Sequence, residues 1–573
     1  MQHKAEKRFF CSLIWLCILL LAACGPSATQ TPSGSEGGVP PKADGQPQRG
    51  GTLRLMAGGH VAYGTVDPHQ SPFGPIPFSG QSTNKVLKRN IMSGNYEIIP
   101  ELAESWDSAP DGMSYIFRLR KGVKFHNVPP TNGREFTSDD VEYMIRRISA
   151  DPDIVPSKLA PLFVKRSDFV NVAGFEKPDK YTIIVTMKQP DPTFLHNMAN
   201  NSAVILPREL IDESPEKRVL DKIIGTGPFI HKEYVPDVRH VVERNPDYWK
   251  KDERGIQLPY LDNLVKDYYS SKAADVTASV AAFLSGQIDA LASIGGGNSL
   301  NDADIDTVMK KMGDKAYVTS SPGFGVFHLR FNTKRTPFSD LRMRRAVTLA
   351  LDRDQIKSTL STASVLSGFI PPLLAESGAQ REEDLLNLPG YRQPKDQDIA
   401  EARRLVREAG FEGVTVGLHF HNTGWIDAAS VIKEQLGYIG INVNITINAS
   451  SEVSISNMAA DKFELMLWSQ AYDGEVGEYV YAHFHTKGSR NYYKFSDPKW
   501  DELAEKQRSA VNPEERKKVI KEVISYQAEV VPNAPISSGT TRNIYRSYAH
   551  GFGTPVNSGD ASQNTDVYWM DKR

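Results

Sequence analysis

The stretch LMLWSQAYDGEVGEYVYAHFHTK, residues 465–487, gathers several side chains able to meet a ligand. Trp468 offers a large flat surface and Tyr472 a phenol, and both rings would serve equally well inside a core. Read as a strand, the segment sets Ser469, Ala471 and Asp473 on one face, with Asp473 about 6.7 Å beyond Ala471. His483 and His485 would share a strand face and could chelate a metal. Two histidines are too few for a site and no cysteine is available to complete one, so a pair of surface histidines is the plainer expectation. Gly295, Gly296 and Gly297 lack a following Lys-Ser or Lys-Thr, which removes the phosphate-loop reading and leaves a strand-ending hinge or cleft loop. Ser496-Asp-Pro-Lys499 has SxxK spacing, but KTG is missing, as are a GxSxG elbow, HExxH and a GxGxxG fingerprint. The residues therefore point to a protein that binds without catalysing and uses neither metal nor cofactor, with a tethered hydrolase as the remote rival.

Elements must hold these side chains, and several are readable. Between 414 and 447 a strand near VTVGLHF, a helix through IDAASVIKEQLGYIG and a strand INVNITI follow one another. Ile441, Val443, Ile445 and Ile447 alternate with polar residues, the signature of a sheet covered on one face. The unit reads as βαβ with a right-handed crossover. After the extended YIFRLRKGVKF, Thr137 and Asp140 have capping-box spacing, and Val141, Met144, Ile145 and Ile148 fall on one helical face. PFSDLRMRRAVTLALDRDQI repeats the logic, with Ser339 as N-cap and Met343, Ala346, Val347 and Ala350 turned inward. DIAEARRLVREAG closes at Gly410. Strands and capped helices alternate from Gly51 onward without a fixed-period repeat, which predicts an α/β fold.

The start of the chain is different in kind. Phe9–Ala23 is apolar but only fifteen residues long, too short to span a bilayer, and Lys4, Lys7 and Arg8 precede it, as in an export signal. Leu21-Ala22-Ala23-Cys24 resembles the bacterial lipoprotein box, which implies cleavage before Cys24 and lipid on its sulfur and new amino terminus. Residues 25–49 are rich in Gly, Pro, Ser and Gln, so they cannot bury a core and form a flexible leash about 25–30 Å in span. All three cysteines, Cys11, Cys17 and Cys24, lie at or before that point, leaving none for disulfides in the exported domain. Net charge is −2, falling to about −4 once the signal is removed, and no basic stripe stands out, which argues against nucleic acid as a partner.

In order, the chain carries GTLRL, TVDPH, LAESWDSAPDGMSYIFRLRKGVKFH, TSDDVEYMIRR, GTGPF, VVERNPDYWK, PYLDNL, FLSGQIDAL, FNTKRTPFSDLRMRRAVTLALDRD and IKEQLGYIGINV. Together these resemble the extracellular solute-binding proteins of family 5, the oligopeptide, dipeptide and nickel-binding receptors of ABC importers, over about residues 51–540. The resemblance implies a two-lobed periplasmic-binding-protein (Venus-flytrap) fold with an extra subdomain inserted in lobe I. Lobe I would comprise 51–90, 205–322 and 535–573, the inserted subdomain 91–204 and lobe II 323–534, after a signal peptide 1–23 and a lipidated tether 24–50. It also implies an exported, lipid-anchored monomer that captures a small solute, peptides foremost, and delivers it to membrane permease subunits. A sensory receptor would use the same flytrap.

Site residues carry over in part. In peptide-binding members an Asp three residues after a Trp holds the peptide's α-ammonium; here Trp468 matches but Ala471 stands at the Asp position. A buried ammonium without a carboxylate is costly. Either Asp473 takes the amine of a shifted ligand, or the cargo has no free amino terminus, as in an oligosaccharide, an opine or a metal chelate. Ser469, Gln470 and Tyr472 would complete this wall of the cleft. Thr65 and Val66, between Gly64 and Asp67, match the family's first loop at the cleft edge, although a structural turn explains Gly64 and Asp67 as well.

Overall fold

The computed structural model describes residues 46–571 apart from 59–66, 71–78, 91–96, 164, 213–222, 236–237, 270–272, 295–299, 301, 361–363, 373, 375–377, 473–475 and 553–561. The export signal, Cys24, nearly all of the leash and the Gly295–Gly297 run lie outside the described residues.

One sheet of eleven strands runs through the molecule. Its path is Asn442–Ile447, Thr415–Phe420, Leu465–Ala471, Ala316–Phe331, Asn533–Arg546, Ala290–Ile294, Thr52–Gly58, Asn263–Tyr269, Arg239–Arg244 and Phe229–Val235, with Val365–Leu366 paired off it. The two long members, Ala316–Phe331 and Asn533–Arg546, pair antiparallel from Ala316 opposite Arg546 to Arg330 opposite Asn533. Their ladder slips between Pro322 and Val326. Proline brings no N–H there and glycines weaken a strand. A Cβ on Gly323 would stand 2.6 Å from the Gly539 carbonyl oxygen, an approach open only to glycine. Beyond this slip one half of the sheet adds Leu465–Ala471 and its neighbours, and the other adds Ala290–Ile294 and Thr52–Gly58. Two continuous strands thus join two α/β lobes.

The sequence-derived elements appear with small differences. Thr415–Phe420 and Asn442–Ile447 pair in parallel across the helix Ile426–Gly437. Ile441 and Val443 are buried and Ile445 packs partly against the core, whereas Ile447, at the end of the edge strand Asn442–Ile447, is 46% exposed. In the helix Ser138–Ile148 the Thr137 N–H donates to the Asp140 carboxylate at 2.9 Å, and Val141, Met144, Ile145 and Ile148 are buried. The helix Leu341–Ala350 is capped by Asp340 rather than Ser339: the carboxylate accepts from the Arg342 N–H at 2.8 Å, an acceptor stronger than a hydroxyl one residue earlier. Gly410 ends the helix Asp396–Ala409 with φ +77°, a left-handed conformation that suits glycine.

Residues 103–187 build a separate antiparallel sheet, in the order Ala103–Ser108, Ser114–Leu119, Thr182–Met187, Val172–Asp179. Phe117, Ile183 and Val185 from this sheet pack with Phe136 and the buried face of the helix Ser138–Ile148. The motif GTGPF docks this part onto the large sheet. The Gly227 N–H donates to the Ser82 carbonyl at 3.1 Å, the Gly225 carbonyl accepts from the His126 N–H at 2.9 Å, and a Cβ on Gly227 would sit 2.4 Å from the Ser82 carbonyl carbon. Backbone cannot yield as a flexible side chain can. Gly227→Ala is expected to lower unfolding free energy by about 3 kcal/mol in urea titration. Gly174→Ala, with nothing within 4 Å of the added carbon, should stay within about 0.5 kcal/mol of the parent.

Candidate functional site

Leu465–Ala471 runs parallel to Thr415–Phe420, which runs parallel to Asn442–Ile447, so three carboxyl ends point the same way. Ligands of open α/β sheets bind outside such ends. The last residues of Leu465–Ala471 lie against the first crossing strand where it slips: Ser469 faces Phe327 and Ala471 faces Gly325 across the ladder. Ser469 is exposed, and a Cβ on Gly325 would stand 3.3 Å from its Oγ. The Ser469 hydroxyl and Gly325 thus form an open corner beside the two strands that join the lobes.

Strand alternation sends Trp468 and Gln470 the other way, into the protein. Trp468 is 8% exposed and lies against the Arg330 guanidinium, 5.0 Å from the ring centre, and against the His421 ring at 4.9 Å. His421 in turn meets Trp425 at 5.1 Å, and Trp425 stands edge-on to Phe327 at 5.0 Å. A continuous aromatic band therefore passes over the end of Thr415–Phe420 and links the two faces of the sheet. Gln470 Oε1 accepts from Arg330 Nη2 at 2.5 Å. Tyr472 is buried, donates its hydroxyl to the Phe369 carbonyl and lies tilted against Tyr479 with ring centres 3.9 Å apart; burial pushes its pKa well above 10, so it stays neutral. Asp473, Thr65 and Val66 lie outside the described residues.

Arg330 holds this wall together. It is 1% exposed, lies between Trp468 and Tyr493 at 5.0 and 4.9 Å, and donates from Nε to His328 Nε2 at 3.2 Å. Burial first, and the Arg330 charge second, hold the His328 pKa well below 6.5. The imidazole is neutral, with Nδ1 donating to the Val326 carbonyl at 2.9 Å and Nε2 left to accept. Sequence reading missed Arg330, His421, Trp425 and Phe327. The signal was present in FHLRF, where two cationic-capable residues occupy alternate positions of an otherwise apolar strand.

The histidine expectation is corrected. His483 lies in the helix Val476–Phe484 and not on a strand, because Val476, Tyr479, Val480 and Phe484 supply one buried helical face. Nor are the two histidines at the surface: both are 2% exposed, His483 beside Tyr479 and His485 stacked 4.2 Å from Tyr481 with Nε2 3.3 Å from Glu505. Among the described residues no group of three metal-ligating side chains gathers. The SxxK segment begins a helix, with Asp497 accepting from the Trp500 N–H at 2.8 Å and Lys499 4.0 Å from the Tyr526 ring.

Asp67, next to the first-loop residues, is buried and makes an ion pair with Arg147 of the helix Ser138–Ile148. It also accepts from the His69 N–H at 3.0 Å, and His69 Nε2 meets the Val204 carbonyl at 2.9 Å. Asp67 and His69 thus tie the chain at this point to Arg147 of the smaller sheet's helix.

Comparison with known proteins agrees with this architecture. Residues 97–492 match the model of the bacterial extracellular solute-binding proteins, family 5 Middle, and the chain belongs to that family. It is 28% identical over 490 residues to di/tripeptide-binding protein 1 of Pseudomonas aeruginosa, covering 80% of this chain and 84% of that protein. It is 27% identical over 486 residues to heme-binding protein A of Haemophilus influenzae, covering 79% and 82%. The periplasmic binding protein DppA from Helicobacter pylori, solved in complex with the peptide STSA, superposes with a TM-score of 0.77 at 22% identity, covering 92% of this chain and 99% of that one. The protein is accordingly an exported solute-binding protein of two lobes.

Proposed function

We propose that the chain is the cargo-capturing receptor of an ABC importer for short peptides, acting without catalysis and as a monomer. Cys24 carries the lipid that anchors it at the outer face of the membrane, and 24–50 is its tether. Lobe I is formed by 51–90, 205–322 and 535–573 with 91–204 inserted, and lobe II by 323–534. The cleft wall of lobe II is the strand end bearing Ser469, backed by Trp468, Gln470 and Tyr472, with Asp473 beyond it and Thr65 and Val66 opposite. The observation that carries the reading is the open corner of Ser469 and Gly325, set where the two crossing strands join the lobes. The di/tripeptide cargo in the name of a relative matched over most of its length supports the peptide class.

A ligand of micromolar affinity supplies about 8 kcal/mol, more than the roughly 5.5 kcal/mol needed to swing two lobes from 1:99 to 99:1 closed. Calorimetric melting with a panel of di- and tripeptides, each with a free and an acetylated amino terminus, tests the proposal. A bound peptide at a hundred times its Kd should stabilise the fold by about 2.7 kcal/mol and be recovered intact. Because Ala471 offers no carboxylate, acetylated and free peptides should bind within about threefold of each other, where a full ammonium anchor would separate them by far more. No stabilisation by any peptide would remove the peptide class.

A further inference from the structure

A second junction bridges the lobes away from the crossing strands. The helices Pro498–Ser509 and Pro513–Val530 meet at a corner, residues 509–512, that reaches the inserted subdomain. Val511 is the contact: its Cγ2 lies 3.1 Å from a Cβ placed on Gly112, which also abuts Pro190. Gly112 has φ +68°, so the turn that meets Val511 carries no side chain. Arg508, one turn earlier, sends Nη2 to the Ser167 carbonyl at 3.5 Å and to within 3.9 Å of Asp191 Oδ2, with its guanidinium 4.7 Å from the Tyr481 ring. Asp191 is fully buried, and its carboxylate also accepts from the neutral groups of Thr193 and Asn171.

The junction is loosely made. Its ion pair is long, Val511 is 40% exposed, and a crevice of about 530 Å³ lined by Pro110, Lys506, Ser509, Val511, Asn512 and Glu515 lies beside it. Interfaces between domains of one chain resemble transient protein–protein interfaces, and relative motion is the default unless they are large and apolar. The inserted subdomain is, by contrast, fixed to lobe I by the buried Asp67–Arg147 pair and the GTGPF backbone contacts. Rotation about the slip at Pro322–Val326 must therefore strain or release the corner.

We propose that this contact is a closing latch: the corner 509–512 docks on the inserted subdomain, Arg508 settles over Asp191, and the closed state gains stability regardless of which solute fills the cleft. The latch rests on the two-lobe fold and is independent of cargo identity.

Hydrogen exchange of the full chain without solute tests it at backbone amides 320, 321, 323–326 and 538–542, in the crossing strands and away from the substitution. Arg508→Glu, which sets a second anion against Asp191, should speed exchange there, while Arg508→Lys should match the parent. A purely local loss of packing would change exchange only near 508–512. Arg508→Glu should also weaken dialanine and trialanine by the same factor, about fivefold. Unchanged exchange in the crossing strands, or affinities within about twofold of the parent, would overturn the latch. If the parent binds neither peptide the cargo reading fails, and exchange in the crossing strands alone decides the latch.

Discussion

Stability is expected to fall steeply as pH drops from 6.5 to 4, because four histidines are folded in the neutral form. His69, His126, His240 and His328 are each 2% exposed or less. Burial, reinforced at His69 by the Arg147 charge, brings the pKa of His69 down to about 4, and burial brings His126 to about 4. Burial with nearby cationic groups sets His240 and His328 well below 6.5. The sign follows from proton counts. Below 6.5 the unfolded chain takes up a proton at each ring while the folded chain does not, so stability present above 6.5 is lost on acidification. Near pH 5 each ring contributes about 1.4 kcal/mol per pH unit. His126 offers the cleanest control, since its Nε2 meets the Gly227 carbonyl at 3.1 Å and, among the described residues, no charge is paired with it. His126→Gln should flatten the slope between pH 6 and 4.5 by about that amount, whatever its offset at neutral pH. Parallel curves for parent and variant in calorimetry would show that His126 is not the titrating group.

Local signals made much of the fold legible. Thr137 with Asp140, Gly410 and the alternation through Ile441 and Val443 are all set by residues within one or two turns, and the structure reproduces them apart from the one-residue shift of a cap to Asp340 and the exposed Ile447. The site was less legible because its wall is assembled from distant segments. Trp468, Arg330, His421 and Tyr493 become neighbours only when Leu465–Ala471 pairs with one crossing strand and Thr415–Phe420 with its other side. Reading AHFHTK as a strand failed for a related reason. A short run rich in aromatics suits either period, and the buried partners of Val476, Tyr479 and Val480, among them Trp500 and Phe369, come from other elements. The same limit hid the role of Asp67, which sequence could read as a turn residue but whose partner lies 80 positions away.

Asp67→Asn is expected to cost about 3–5 kcal/mol of unfolding free energy, because it leaves the Arg147 guanidinium buried beside a neutral amide. Both side chains are at most 5% exposed, and Arg147 Nη1 also meets Asp67 Oδ1 at 3.0 Å and His69 Nδ1 at 2.7 Å. Burial alone would push the Asp67 carboxyl up, and the Arg147 charge and hydrogen bonds more than offset it, holding the pKa below 3.8. In the parent the pair therefore stabilises the fold above the unfolded value and is lost as pH falls through the lower folded one. Arg147→Met should reverse that dependence. With its cation gone the buried carboxyl is neutral in the fold, so the variant's loss relative to the parent should be smaller at pH 3.5 than at pH 7. Replacing both partners by apolar groups, Asp67→Leu with Arg147→Met, should cost less than the two single changes added together, since no unpaired charge remains. Urea titrations of the four proteins at the two pH values measure the coupling directly. Additive losses, or an Arg147→Met deficit relative to the parent that is no smaller at pH 3.5 than at pH 7, would show that Asp67 and Arg147 do not act as a pair. The consequence reaches the proposed cleft: the pair fixes Asp67 two residues after Thr65, so loosening it should weaken peptide binding even under conditions where the variant stays folded.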